Sequence, residues 1–207
     1  LTWGNQTLKP ATFLTCLANR HYVRKDLKIT LENTAKLMNQ RFPDTKILYL
    51  DANFPFFDSF PLLPHLSHND GRKLDLSFYY KNKQTQKNTN FSPSFIGYGF
   101  CEEPTKNEQN MPEYCKKQGF WQYGLLRKIT PQTQKNTLVF DAEKTKILLQ
   151  LLTKNPAISL IFIEPHLKFR LGFGRNPKIG FHGCHAVRHD DHIHIASPNP
   201  SEGGESD

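Results

Sequence analysis

The chain of 207 residues predicts an α+β fold: a small central antiparallel sheet flanked by helices, with a long irregular insertion. Three observations lead there. Short stretches such as Leu74 to Phe78 and His192 to Ile195 alternate polar and apolar residues, as half-buried strands do. Two longer windows repeat apolar residues at helical spacing. The region from about Lys81 to Asn136 follows neither period.

In chain order, Thr30 can cap a helix from about Leu31 to Phe42, with Leu31, Ala35, Met38 and Phe42 on one face. Lys46-Ile47-Leu48-Tyr49-Leu50 reads as a strand, and Pro55, Pro61 and Pro64 stiffen the approach to His65. In Leu74-Asp75-Leu76-Ser77-Phe78, successive side chains point to opposite faces, so Asp75 and Ser77 share one face and the apolar residues the other. The insertion (81–136) repeats Gln-Thr-Gln-Lys-Asn-Thr at Gln84–Thr89 and Gln132–Thr137, which points to compositional bias more than a structural repeat. Its Tyr98, Phe100, Phe120, Trp121 and Tyr123 are expected to cluster with a disulfide between Cys101 and Cys115, in an insertion beside the site. Asp141 can cap a second helix to about Lys154, burying Ile147, Leu148, Leu151 and Leu152. Ile158 to Ile163 reads as a central strand, and Gly172-Phe173-Gly174-Arg175 as a turn. One domain over 1–207 is expected, with its core about 30–196 and a disordered tail over 197–207.

The net charge of +8 and pI of about 9.3 permit nucleic acid, an anionic membrane face or an acidic polymer as partner. The lysines are spread along the chain and no nucleic-acid motif occurs, so general basic character is the better reading. No apolar run reaches the roughly 18 residues of a membrane span. The chain does not begin with Met, and an export signal or anchor is expected to lie outside it. The four cysteines, Cys16, Cys101, Cys115 and Cys184, suit two disulfides in an exported protein. Cys101 and Cys115 flank a polar loop, Glu102 to Tyr114, with nothing of its own to pack. That bridge is expected, with Cys16–Cys184 by elimination. Four free buried thiols are the alternative.

Two stretches carry the chemistry. His65-Leu66-Ser67-His68-Asn69-Asp70-Gly71-Arg72-Lys73-Leu74-Asp75 and His189-Asp190-Asp191-His192-Ile193-His194 together hold five of the nine histidines. His192 and His194 share a strand face. If the Asp75 strand pairs in the same sheet, Asp75 lies near His194, and the loop after His68 can turn back at Gly71. His68, Asp75 and His194 then offer two nitrogens and a carboxylate, a set that suits zinc and leaves a fourth position for water. Asp190 and Asp191 either orient histidine rings or form a solvated turn. His182-Gly183-Cys184-His185 offers a second, weaker set of soft ligands.

Ser67-His68-x-x-Gly71-x-x-x-Asp75 and His189-Asp190-Asp191-His192-x-His194 resemble the signature segments of the zinc peptidases that include lysostaphin, the D-alanyl-D-alanine peptidases and the penicillin-insensitive murein endopeptidases. The last group is the closest in pattern, with His65 three residues before the first ligand. Ile158 to Lys168 is similar to the strand and short helix that precede its final histidines. The resemblance covers roughly Leu31 to Ala196. It departs at the middle of the chain and at Lys73-Leu74, where small or acidic residues are more usual. It implies that His68, Asp75 and His194 hold the zinc, that His192 handles protons or steadies the oxyanion, and that His189 is a second catalytic or supporting histidine.

The function expected is therefore a zinc-dependent peptidase acting on peptidoglycan peptides outside the cytoplasm, in the periplasm or cell envelope. A cross-link endopeptidase is favoured over a D,D-carboxypeptidase. Two rivals stand beside it. One is a wall-binding or regulatory module that keeps zinc without turnover. The other is a basic binder of nucleic acid or anionic polymer, recognisable by salt-dependent affinity without zinc.

Overall fold

A computed structural model of the chain describes residues 1, 5–53 and 70–199. The expected positions His65, His68, Pro55, Pro61 and Pro64 lie outside them, as does the tail beyond 199. From the N-terminus come β1 (Leu8–Pro10), α1 (Phe13–Leu17), α2 (Lys25–Arg41), β2 (Ile47–Tyr49), β3 (Lys73–Ser77) and β4 (Tyr80–Asn82). Next come α3 (Met111–Lys117), a 3-10 turn (Trp121–Gly124), α4 (Leu125–Ile129), a second 3-10 turn (Thr133–Asn136) and β5 (Leu138–Phe140). The chain continues with α5 (Ala142–Lys154), β6 (Leu160–Phe162), α6 (Pro165–Arg170), β7 (Ile179–Gly180) and β8 (His192–Ala196).

Among the described residues the main sheet has six strands in the order β1-β2-β3-β8-β6-β7, and β4 pairs with β5 in a small second sheet. The arrangement is α+β, as the alternating and helical patterns imply. The four inner strands run antiparallel, whereas β1 joins β2 and β7 joins β6 in parallel, so the sheet is mixed and wider than expected. Register follows the alternation. Leu74 pairs with Ile195 and Leu76 with Ile193, and all four side chains are fully buried. They pack in one cluster with Leu27, Leu31, Ala35 and Met38 of α2 and Leu148, Leu149 and Leu152 of α5. Each such Leu, Ile or Met side chain stabilises the fold by about 1.5–3 kcal/mol through burial. The opposite face of β3 and β8 therefore carries Asp75, Ser77, His192 and His194.

Helix α2 begins a turn and a half before the expected start. Leu27 extends the apolar stripe toward the N-terminus, Asp26 sits favourably in the first turn, and the N-cap is Arg24. Thr30 is thus inside the helix, where its carbonyl accepts from Thr34 Oγ1 at 2.8 Å. Phe42 ends the helix in extended backbone. In α5 the Asp141 side chain accepts from Lys144 N at 3.0 Å, the expected cap. That helix buries Leu149 beside Leu148 and Leu152, while Ile147 and Leu151 are half-buried. The strand expected over Ile158 to Ile163 is β6, second from the β7 edge.

The insertion is not structureless. It contains α3, α4 and both 3-10 turns, whose backbone bonds close locally and leave no long period in the sequence. The two copies of the polar hexapeptide fold differently, one as a turn after β4 and one as a 3-10 turn, which fits compositional bias. The expected aromatic cluster divides. Tyr98, Phe100 and Tyr123 are buried, but Trp121 is 68% exposed.

The disulfides depart from expectation. Cys115 is bonded to Cys184, and Cys16 and Cys101 are free thiols. The polar 102–114 loop does not need its ends tied, because it is held by tertiary ion pairs. Arg170 reaches Glu108 and Arg188 reaches Glu103. The bond instead fastens α3 to the segment that leads into β8, within a small apolar cluster of Met111, Cys115, Tyr123, Phe120 and Phe181. This pairing also removes the second metal set at His182 to His185, since a bridged sulfur is not a thiolate ligand. The segment from Ser197 to Asn199 does not hang free: Ser197 N donates to Arg72 O at 2.9 Å and Arg72 reaches Pro198 O.

Candidate catalytic and metal site

Strand pairing brings Asp75, in the described end of the first stretch, against His192 and His194 of the second. Asp75 and His194 are register partners on β3 and β8, and Ser77 pairs with His192. Register partners of an antiparallel pair project on the same face. His194 Nδ1 and Asp75 Oδ1 are 2.8 Å apart, and His192 Nε2 lies 3.8 Å from the same oxygen. Tyr98 Oη donates to Asp75 Oδ2 at 2.7 Å, and its ring stands edge-on to His192 at 5.0 Å. Burial and the neighbouring Asp75 push the Tyr98 phenol up, so it remains a donor. Tyr98 also lines a cavity of about 270 Å³ with Leu14, Arg20, Asp51, Ile96 and Leu126.

His192 is fully buried and set by Asp191, whose Oδ1 accepts from His192 Nδ1 while Oδ2 accepts from Gly99 N. Burial disfavours the charged imidazolium, but Asp191 and Asp75 outweigh it and hold His192 up at about 9. Asp191 is thus a ring-orienting acceptor and not a solvated turn residue. Asp190 is buried too, paired with Arg188, whose Nε is 3.0 Å from Asp190 Oδ1. Glu103 shares that guanidinium at 2.8 Å.

His189 is buried, its ring 4.8 Å from His192 and 5.7 Å from His194 between centroids. Burial and the two neighbouring rings push it well down, so it is neutral. Glu164, the residue that opens α6, grips its backbone from both sides. Glu164 N donates to His189 O at 3.0 Å, and His189 N donates to Glu164 Oε1 at 3.2 Å. Tyr123 Oη donates to the same Oε1. Desolvation and Asp190 raise this carboxyl to about 7.

The sequence placed Tyr98 and Tyr123 only in an aromatic cluster beside the site, gave no role to Glu164 or Phe162, and put His182 in a separate set of soft ligands. Phe162 is the β6 register partner of His194, and the His182 ring stacks on it at 4.2 Å. A signal was present for Phe162, since it alternates with Ile161 and Ile163 in the apolar run. Nothing local marks Glu164.

As a zinc site, the set has two donors in place. Asp75 Oδ1 and His194 Nδ1 are an oxygen and a nitrogen of the types zinc takes. Donors about 2.0–2.2 Å from one tetrahedral ion stand roughly 3.4 Å apart. The observed 2.8 Å is slightly closer, the spacing of an N–H···O bond. His68, the third expected donor, lies outside the described residues. Among the described residues, no group of three or more His, Cys, Asp and Glu is placed to hold a metal. In a comparison with models of known families and with curated proteins, the chain matches none. No helix among the described residues is long and apolar enough to cross a membrane.

Proposed function

We propose that the protein is a zinc-dependent peptidase acting on the peptides of bacterial peptidoglycan, cutting cross-links in preference to trimming terminal D-alanine. One observation carries the reading: Asp75 and His194 meet as register partners, with His192 and His189 packed against them and buried. Buried carboxylate and imidazole groups are costly to hold together without chemistry to use them.

Asp75, His194 and His68 would hold the zinc, which when bound would supply Lewis acidity toward the scissile carbonyl and acidify a water. The chain's own residues do the rest. Asp191 fixes the His192 ring through Nδ1, so Nε2 is the atom turned toward Asp75 and would face the proposed metal. From there it holds a proton for the departing amine and opposes charge on the tetrahedral oxygen. Tyr98 fixes the second oxygen of Asp75, which keeps that carboxylate from rotating. Neutral His189, its backbone clamped by Glu164, packs against His192 as a supporting group.

The Cys115–Cys184 bond supports an extracytoplasmic location, where thiols are oxidised. The basic surface charge supports attraction to a carboxylate-bearing wall polymer. The test is metal content together with digestion. Purified protein should carry about one zinc, lost in Asp75→Ala and His194→Ala, and should release cross-link fragments from purified peptidoglycan. Full zinc retention in His194→Ala, or no cleavage by zinc-replete protein, overturns the reading.

A further inference from the structure

We infer that His182 touches the substrate: it is an imidazole at the rim of the site that hydrogen-bonds the backbone amide of a bound peptide. The inference rests on the peptidase reading above. The sheet sets out the geometry. Asp75, His194 and Phe162 form one cross-strand row over β3, β8 and β6. The next position in that row is Gly180 on β7, which has no side chain. The chain turns back two residues later and lays His182 flat over Phe162, with centroids 4.2 Å apart and planes 11° apart. This places the ring 5.8 Å from His194 and 5.3 Å from His189. His182 is the end of the row, and it is exposed where His189, His192 and His194 are buried.

Its position is nevertheless held. Phe181 before it packs with Tyr123 and Cys115, Gly183 after it turns with φ +94°, and Cys184 is bonded to Cys115. A side chain anchored on both sides keeps its place without help from its own nitrogens. Neither nitrogen of His182 makes a hydrogen bond to a described residue. A neutral imidazole offers one donor and one acceptor, the pair that an extended peptide backbone presents in return. An exposed ring held in place with both groups unspent, over β6 and beside the strand that carries His194, fits a backbone contact next to the bond to be cut.

The rival role for His182 is packing alone, and two substitutions separate the roles. His182→Phe keeps a flat ring on Phe162 and removes both nitrogens. His182→Asn keeps a donor and an acceptor and gives up the stack. The probe is a purified cross-linked muropeptide dimer, assayed for kcat and KM, with zinc content measured in parallel. His182→Phe should retain zinc and lose about tenfold in kcat/KM, chiefly through KM, and His182→Asn should recover part of the loss. Wild-type activity in His182→Phe overturns the assignment. A second measurement does not require turnover: diethyl pyrocarbonate labelling mapped by mass spectrometry. His182 should label first of the four clustered histidines, and the dimer should slow that labelling several-fold. Unslowed labelling overturns the contact whether or not the protein cleaves. Protection without cleavage keeps the contact and removes the hydrolase reading instead.

Discussion

Replacing both bridging cysteines, as Cys115→Ser with Cys184→Ser, tests the disulfide and the anchoring it gives the site. The bond closes a loop of 69 residues in sequence separation. The chain-entropy relation for such a loop gives about 4 kcal/mol of stabilisation lost. In a domain of this size each kcal/mol moves the melting temperature by roughly 2–4 °C, so a fall of roughly 8–16 °C is expected by calorimetry. The loosening should be local first. Met111, Tyr123, Phe120 and Phe181 form a cluster apart from the main core. Amide exchange should therefore rise in 111–117 and 181–186 before it rises in β3 and β8. A melting temperature within about 2 °C of wild type would refute the argument. So would a non-reducing peptide map joining Cys101 to Cys115.

His192→Ala should keep its zinc and fold while losing roughly 10²–10⁴-fold in turnover on muropeptides. Zinc lost with activity would make His192 a ligand, and both retained would favour a binding module without turnover. Glu164→Ala leaves Tyr123 Oη and His189 N without their shared acceptor, and should cost about 2–4 kcal/mol in urea unfolding. Glu164→Gln should cost much less, since it keeps an acceptor oxygen; equal losses would argue against the clamp. Glu108 is held down to about 2 by its hydrogen bonds from Arg170. A depressed carboxyl stabilises the fold above its unfolded pKa, about 4.3, and that stabilisation is lost as pH falls toward 2. After solvent screening the pair stabilises by about 1 kcal/mol. Glu108→Gln should therefore be weaker than wild type by that amount at pH 7 and indistinguishable near pH 2. A constant difference across that range would count against the pair.

Period-two alternation makes the strand faces legible in the sequence. In Leu74 to Phe78 and His192 to Ile195 both faces are buried, but one residue of slip would take Leu74, Leu76, Ile193 and Ile195 out of the apolar cluster and put the polar set into it. The hydrophobic effect therefore fixes which face each residue takes, and Asp75 beside His194 further needs β3 and β8 to be neighbours in the observed register. The Asp141 cap was readable for a similar reason, because a cap is a contact within three residues. Helix α2 was read short because Arg24 and Lys25 carry no capping signal, and its start is settled by Leu27 packing into the core. The parallel edge strands β1 and β7 are only three and two residues long, too short for any period to register.

The cysteines failed as a local argument because a disulfide obeys distance in space. Cys101 and Cys115 are close in sequence, but Cys101 is buried beside Asp190 and Arg188, whereas Cys115 faces α3's small apolar cluster. The same long-range pairing decides His182. Read alone, His182-Gly183-Cys184-His185 is a set of soft ligands around one turn. Once Cys184 is bonded to Cys115, the two histidines part: His185 packs against Phe120, and His182 lies over Phe162 beside His194. A residue only twelve positions before His194 thus reaches the site not along its strand but across two others. Its role depends on a bond to residue 115 that no pattern near residue 182 encodes.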